Sequence, residues 1–421
     1  MLRFASSPTA DISISDLRVA LINSIVSVQK QEELIVRIED MDKEKNIENK
    51  DQEILDTLSL FDITYSQVTY QSQNVRFYSA MALQLVHEKK AFSCFCSDNW
   101  IEKKREEAKQ EGKAYSYDDA CRNLPAELVI DNTNPFSIRV ARPDNALIVK
   151  DIVQGDISFE PDEIDSFVIL DQNKTPMYDF ATAVDDMLNN VSGVIVNDDK
   201  INNSSKQKYI RDSLKYEKQL EYAHIPPINS SLSVKELLRE GYLPEAISNY
   251  LISTLYEMPN RIFTIKTAAE WFDLSCITKS PARLDINALK DINQQHLKDL
   301  DAKELSRYVG FADSEIGELA RIYLEEATTT QELKVKISPI FSQRNIPDAL
   351  QEKISLMTET IKSAPYFDEY DDFKQHVMKH SGLEDESFSK PLRILLTNAE
   401  DGPELAEIYK YLKNYIGEII K

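Results

Sequence analysis

Glycine is scarce in this chain: nine in 421 residues, with none before Gly112. A loop that presses backbone amides against a phosphate uses glycine, because a Cβ would hold the chain off or forbid positive φ. The N-terminal half therefore carries neither a dinucleotide fingerprint nor a P-loop. Cysteine is scarce too, and four in so long a chain suggest a reducing compartment and no disulfide framework. No apolar run approaches the roughly 18 residues of a membrane span. Asp11, Asp16 and Arg18 stand where a secretory signal would be apolar. These absences predict a cytoplasmic protein with no membrane partner. Positive charge is short as well, since 49 Lys and Arg against 71 Asp and Glu leave −22. That balance disfavours nonspecific adhesion to DNA, although a local basic patch remains compatible with it. Most of the acidity is expected on solvated helical faces.

What is present is the composition of an ordinary globular protein, 42% hydrophobic and 29% charged, with length for two or three domains. Leu2 to Ala5 reads as a buried strand, followed by a polar loop and a helix opened by Asp16. Leu17, Ala20, Leu21, Ile25 and Val28 lie at helical spacing. Glu33 to Ile38 reads as a second strand with Glu39, Asp40 and Asp42 at its carboxyl end. Helices are expected over Asp51 to Leu60 and Phe77 to Lys89, the alternation of a parallel sheet covered by helices. Asn99 to Lys113 is a charged helical run. Leu128 to Phe159 breaks into short β-rich pieces, and parallel-sheet character returns at Phe167 to Leu170 and Gly193 to Val196. Beyond Pro226 the pattern is almost wholly helical and includes the acidic stretch Asp368 to Asp372.

Arg3, Phe4, Ala5, Ser7, Pro8, Thr9, Leu17 and Arg18 resemble the opening of glutamyl-tRNA synthetases. There Arg-Phe-Ala-Pro-Ser-Pro-Thr-Gly precedes His-Ile-Gly, and the family's glycines and histidine fall here on Ala10, Ser13 and Ser15. Arg37 to Asp42 resembles the family's Arg-Ile-Glu-Asp-Thr-Asp, and Pro176 to Ala181 its Pro-Thr-Tyr-Asn-Phe-Ala. Ser280 to Arg283 is similar to the stem-contact motif, and Phe388 to Leu405 to the end of the anticodon-binding domain. The likeness spans the chain and is greatest to the second bacterial copy, which places glutamate on the glutamine tRNA.

The resemblance implies an α/β then all-α fold: a doubly wound, Rossmann-type parallel sheet over residues 1–225 with an insertion near 97–155. A helical stem-contact region over 226–309 and a helical anticodon-binding-type domain over 310–421 would follow. It implies a glutamate pocket of Arg3, Ala5, Ser7, Glu39, Tyr178 and Thr182. The cofactors would be ATP and Mg²⁺, and the partner a tRNA of the glutamate or glutamine type for a monomeric protein. Arg3 suits the side-chain carboxylate and Glu39 the α-ammonium, while Tyr178 supplies a hydroxyl. The pattern breaks at the chemistry. A further family arginine falls on Val196, and Ser13 and Ser15 stand as degenerate catalytic positions. Only Pro227 to Ser233 remains where a Lys-Met-Ser-Lys-Arg loop belongs.

Losing one preorganised donor commonly costs roughly 10²–10³ in rate, so adenylate formation is expected to be lost or severely reduced. The chain then reads as a pseudo-enzyme that keeps tRNA or protein binding. Alternatives are an active ligase rescued by Lys200, Lys206, Lys208 or Lys235, and a structural or regulatory protein without RNA. Cys94, Cys96 and Cys121, with Tyr117, resemble a zinc pattern of the family. Its fourth ligand, a histidine, is Asn123 here, so reduced metal-free thiols are the preferred reading. His376 and His380 are four apart without further ligands, and Asp185, Asp186, Asp198 and Asp199 read as facing water rather than Mg²⁺.

Overall fold

The computed structural model describes residues 1–230, 232–260 and 262–420. Two units form, Met1–Val234 with Leu251–Leu284, and Lys235–Tyr250 with Asp285–Lys421. The first is built on strands β1 (Leu2–Ser6), β2 (Leu34–Ile38), β3 (Gln67–Tyr70), β4 (Ala91–Cys94), β5 (Ser137–Val140) and β6 (Leu147–Asp151). It continues with β7 (Gly155–Phe159), β8 (Val168–Leu170), β9 (Gly193–Asn197), β10 (Glu221–Ile225), β11 (Ile228–Asn229) and β12 (Ala282–Arg283). Seven of these make the main sheet in the order β3-β2-β1-β9-β10-β6-β7. All its pairs are parallel except β6 with β7. Neighbouring β1 and β9 mark the point where strand order reverses, and a crevice opens there outside the carboxyl ends of the strands.

The central strands are apolar because both faces are covered. Leu2 and Phe4 are buried, as are Leu34 to Ile38, Val194 and Ile195. Helix Ile14–Lys30 follows β1 and buries Leu17, Ala20, Leu21 and Ile25, while Val28 near its end is exposed. Its cap is Ser13, not Asp16. The Ser13 hydroxyl accepts from the Asp16 amide at 3.0 Å, the bond of an N-cap, and donates to the Asp16 carboxylate at 2.7 Å.

Val168–Leu170 departs from the expected parallel character. It pairs antiparallel with β5 in a separate three-stranded sheet, β4-β5-β8. A three-residue apolar run carries no signal that separates the two kinds of sheet. The segment following β10 is held by the parallel pairing of β11 with β12, so the Ser280 to Arg283 motif contributes a strand to the first unit.

Among the described residues the second unit is helical. Asp285, Asp301, Asp313 and Thr329 each cap a helix by accepting from backbone amides one turn in. Helix Ser314–Ile322 lies so close to helix Ala302–Tyr308 that a Cβ at Gly317 would stand 1.7 Å from the Ala302 carbonyl oxygen. Only glycine permits that approach. No described helix is long and apolar enough to cross a membrane.

Candidate functional site

A cavity of about 320 Å³ lies at the carboxyl ends of β1 and β9, against the start of helix Ile14–Lys30. Arg3, Ala5, Ser7, Glu39 and Tyr178 line it together with Val196, Asn197 and Lys200. Five of the six residues assigned to the pocket by resemblance thus share one wall. Thr182 does not line the cavity; it is buried, and its hydroxyl accepts from Arg37 at 3.5 Å.

Asp186 is the centre of charge beneath this cavity. Arg3 donates Nε to it at 3.0 Å, Arg37 donates Nη1 at 2.7 Å, and Arg211 stands 3.8 Å away. Burial works to raise this carboxyl, but the three guanidiniums hold it below the ordinary carboxylate range. Arg37 also donates to Glu39 at 3.0 Å. Burial opposes the Arg37 charge, yet Asp186 and Glu39 raise its pKa overall. Asp185 is raised by burial and accepts from Gln71, Asn74 and Tyr78. The expectation that Asp185 and Asp186 face water is therefore overturned: both are buried. The sequence offers one cue, since unsolvated Asp occurs where arginines are also buried, and Arg3 and Arg37 sit on strands covered on both faces. Asp199 is exposed and Asp198 half-buried.

Tyr178 is 42% exposed, and its phenol is raised by its surroundings and then by the Glu39 carboxylate, so the hydroxyl keeps its proton. Glu39 accepts from Ser7 at 3.5 Å. These groups offer a cation, a carboxylate and a hydroxyl around a small volume, a set that can orient a zwitterion.

Ser13 and Ser15, the two positions expected to be degenerate, are engaged within the chain itself. Ser13 caps its helix with Asp16. The Ser15 hydroxyl donates to the Asn197 side-chain oxygen at 3.1 Å and accepts from the Ile228 amide at 3.4 Å. Arg18 donates to the Pro226 carbonyl and to the Thr254 hydroxyl. The Val234 amide donates to the Ile12 carbonyl at 3.1 Å, so the connection after β10 runs back onto the helix start. Residue 231 within it lies outside the described residues. Of the lysines considered for rescue, Lys200 lines the cavity 3.3 Å from Asp199, Lys206 lies over the Phe167 ring, and Lys208 pairs with Asp212. Lys235 belongs to the second unit.

Away from this cavity, the sulfurs of Cys94, Cys96 and Cys121 lie within 4.8 Å of one another. The Tyr117 hydroxyl is 3.4 Å from Cys94 and 3.3 Å from Cys96. Burial raises Cys94, but its hydrogen bonds with Tyr117 and Arg139 bring its thiol below the usual value. Burial and the neighbouring Cys94 charge push Cys96 up to about 12. His224 is buried between Asp151 (2.7 Å) and Ser204 (2.8 Å), a structural bridge. His376 and His380 stack at 4.1 Å.

The family model for tRNA synthetases class I (E and Q), catalytic domain, matches residues 1–291. The chain is 57% identical to "Glutamate--tRNA ligase 2" of Sulfurimonas denitrificans and 44% identical to "Glutamate--tRNA ligase 1" of Nitratiruptor sp. Each match covers the whole of both chains, over 432 aligned positions against the 421 residues here. The fold is that of a glutamate tRNA ligase from Elizabethkingia meningosepticum (TM-score 0.82, 20% identity, 99% and 98% of the two chains covered). It is also that of a glutamate-tRNA synthetase from Elizabethkingia anophelis (0.80, 21%, 100% and 98%).

Proposed function

Because the chain belongs to the class I tRNA synthetases of the glutamate and glutamine type, we propose that it is a glutamyl-tRNA synthetase homologue with adenylate formation lost or severely reduced. It persists as a tRNA- or protein-binding module. Residues 1–225, 226–309 and 310–421 take the catalytic-type, stem-contact and anticodon-binding-type roles in this reading. The observation that carries it is the start of helix Ile14–Lys30, where a phosphate would need open donors. Ser13 and Ser15 are instead engaged by Asp16, Asn197 and the Ile228 amide. Asp11, paired with Lys50 at 2.8 Å, and Asp16 line the adjacent cavity, whose cations are Arg3, tied to Asp186, and Lys200, beside Asp199. Transition-state charge on an α-phosphate needs preorganised, uncommitted donors, and this surface repels it.

ATP–pyrophosphate exchange with and without glutamate- or glutamine-type tRNA tests the reading. Exchange well above background removes it and favours the alternative, an active ligase with ATP and Mg²⁺ held through Lys200. Filter binding of tRNA at low and high salt tests the partner, since a true contact weakens steeply with salt. Retention that ignores salt, or no retention, favours a protein without RNA.

Against the expectation of metal-free thiols, Cys94, Cys96, Cys121 and the Tyr117 hydroxyl are proposed to hold one zinc ion. Three converging thiols with an oxygen donor in place of the missing histidine fit its tetrahedral preference, and Arg139, donating to Cys94 at 3.3 Å, supports the thiolate. Bound zinc would tie β4 to the loop that carries Cys121.

A further inference from the structure

A second cavity, of about 570 Å³, lies at the opposite end of the sheet from the one described above. Leu2, Gly193 and Glu221, which line it, are the first residues of β1, β9 and β10, so it opens at the amino ends of those parallel strands. Of its lining only Ile195 also borders the cavity at the carboxyl ends. Its floor is apolar: Leu2, Ile195, Tyr222 and Ala223 are each at most 3% exposed.

One wall is aromatic and braced from behind. Trp271 ends helix Ile265–Trp271 and Phe272 caps it, and Tyr256 packs against both with ring centroids 5.6 and 5.5 Å away. Phe263 meets the Trp271 ring edge-on at 5.2 Å, and the Tyr256 hydroxyl donates to the Trp271 carbonyl at 3.2 Å. An apolar cavity of this size with a fixed aromatic wall suits a small organic ligand.

The charge around it favours one sign. Of the four charged lining residues three are acidic, and the one cation, Lys30, is paired with Glu221. That leaves Glu270 and Asp273, both exposed. Asp273 accepts from the Ser275 hydroxyl and amide at 2.7 and 2.9 Å and from the Cys276 thiol at 3.3 Å, bonds that hold its carboxyl below the ordinary range. The last turns of helices Ile14–Lys30 and Ile265–Trp271 also reach the cavity, and the carboxyl end of a helix carries partial negative charge. An anion is repelled here, while an ammonium finds two carboxylates and an aromatic face.

We propose that this cavity is a binding site for a small arylalkylamine, its ring packed on Trp271 and Phe272 and its ammonium set against Glu270 and Asp273. Such a site stands whether or not the cavity at the carboxyl ends takes an amino acid.

The chain has two tryptophans, so Trp100→Phe leaves Trp271 as the sole indole reporter. Titrating that variant of the full chain with phenethylamine should change its tryptophan emission saturably. Hydrocinnamate, the same phenylethyl group ending in a carboxylate, should bind at least about tenfold more weakly, the worth of one charge-assisted hydrogen bond. Glu270→Gln combined with Asp273→Asn should bring the two probes level. Hydrocinnamate binding as tightly as phenethylamine before those substitutions, or no saturable change with the amine up to millimolar concentration, overturns the proposal. So does a preference for the amine that survives the double substitution in a chain still folded by circular dichroism. Should Trp100→Phe fail to fold, calorimetric titration of the unaltered chain with the same two probes decides.

Discussion

Ser13 and Ser233 face each other in an isolated antiparallel bridge. In the proposed reading this fastens the connection that stands for a longer, lysine-bearing loop to the residue that stands for the family's histidine. Ser13→His combined with Ser15→Gly is therefore expected to give no ATP–pyrophosphate exchange above background, because the connection still covers the helix start. Exchange restored by the two substitutions alone would show that the serines were the whole defect.

Ser13 also holds its helix. Ser13→Ala leaves the Asp16 amide without its acceptor and should cost about 1 kcal/mol, read as a lower thermal midpoint by calorimetry. An unchanged midpoint would mean that water serves the amide equally well.

Asp186→Asn removes the charge that three buried guanidiniums share, and a loss of about 3–5 kcal/mol is expected at neutral pH. Because the folded pKa is depressed, the stabilisation is present above the unfolded value of about 3.9 and fades as pH falls through the folded value. The unaltered chain and the variant should therefore converge in acid. Urea unfolding at several pH values checks this, and a constant gap would refute the linkage.

Glu332 gives a milder case in the helical unit. Burial opposes ionisation, but the Thr328 amide, the Lys290 ammonium and the Thr328 hydroxyl bring its carboxyl down to about 2. Glu332→Gln should lower the urea midpoint at pH 7 and lower it less as pH approaches 2. The carboxylate is 40% exposed, so solvent screening keeps the effect small.

Zinc content is measurable directly. Metal analysis should find one zinc per chain, released by a chelator, and Cys96→Ser should abolish it. Three thiols that titrate fully without chelator, with no metal found, would return the cluster to plain reduced cysteines.

The strand-loop-helix opening and the acids at the end of β2 were legible because apolar spacing and terminal charge are local signals. The ion pairs of Asp186 were not, since Arg3, Arg37 and Arg211 lie far from it in sequence and meet it only through the fold. Thr182 shows a related limit: resemblance placed it in the pocket, but it is buried and its hydroxyl accepts from Arg37. Val168–Leu170 was read as parallel, and pairs antiparallel, because three apolar residues suit either kind of sheet.

Arg393 donates to the carbonyls of Gly402 and Pro403 at 3.2 and 2.9 Å, across the turn that leaves the helix bearing Pro391. That clamp serves the polypeptide's own architecture whether or not any nucleic acid is ever touched. Likeness to the synthetases in this stretch is accordingly what folding by itself would preserve, and a chain relieved of translation would go on displaying it.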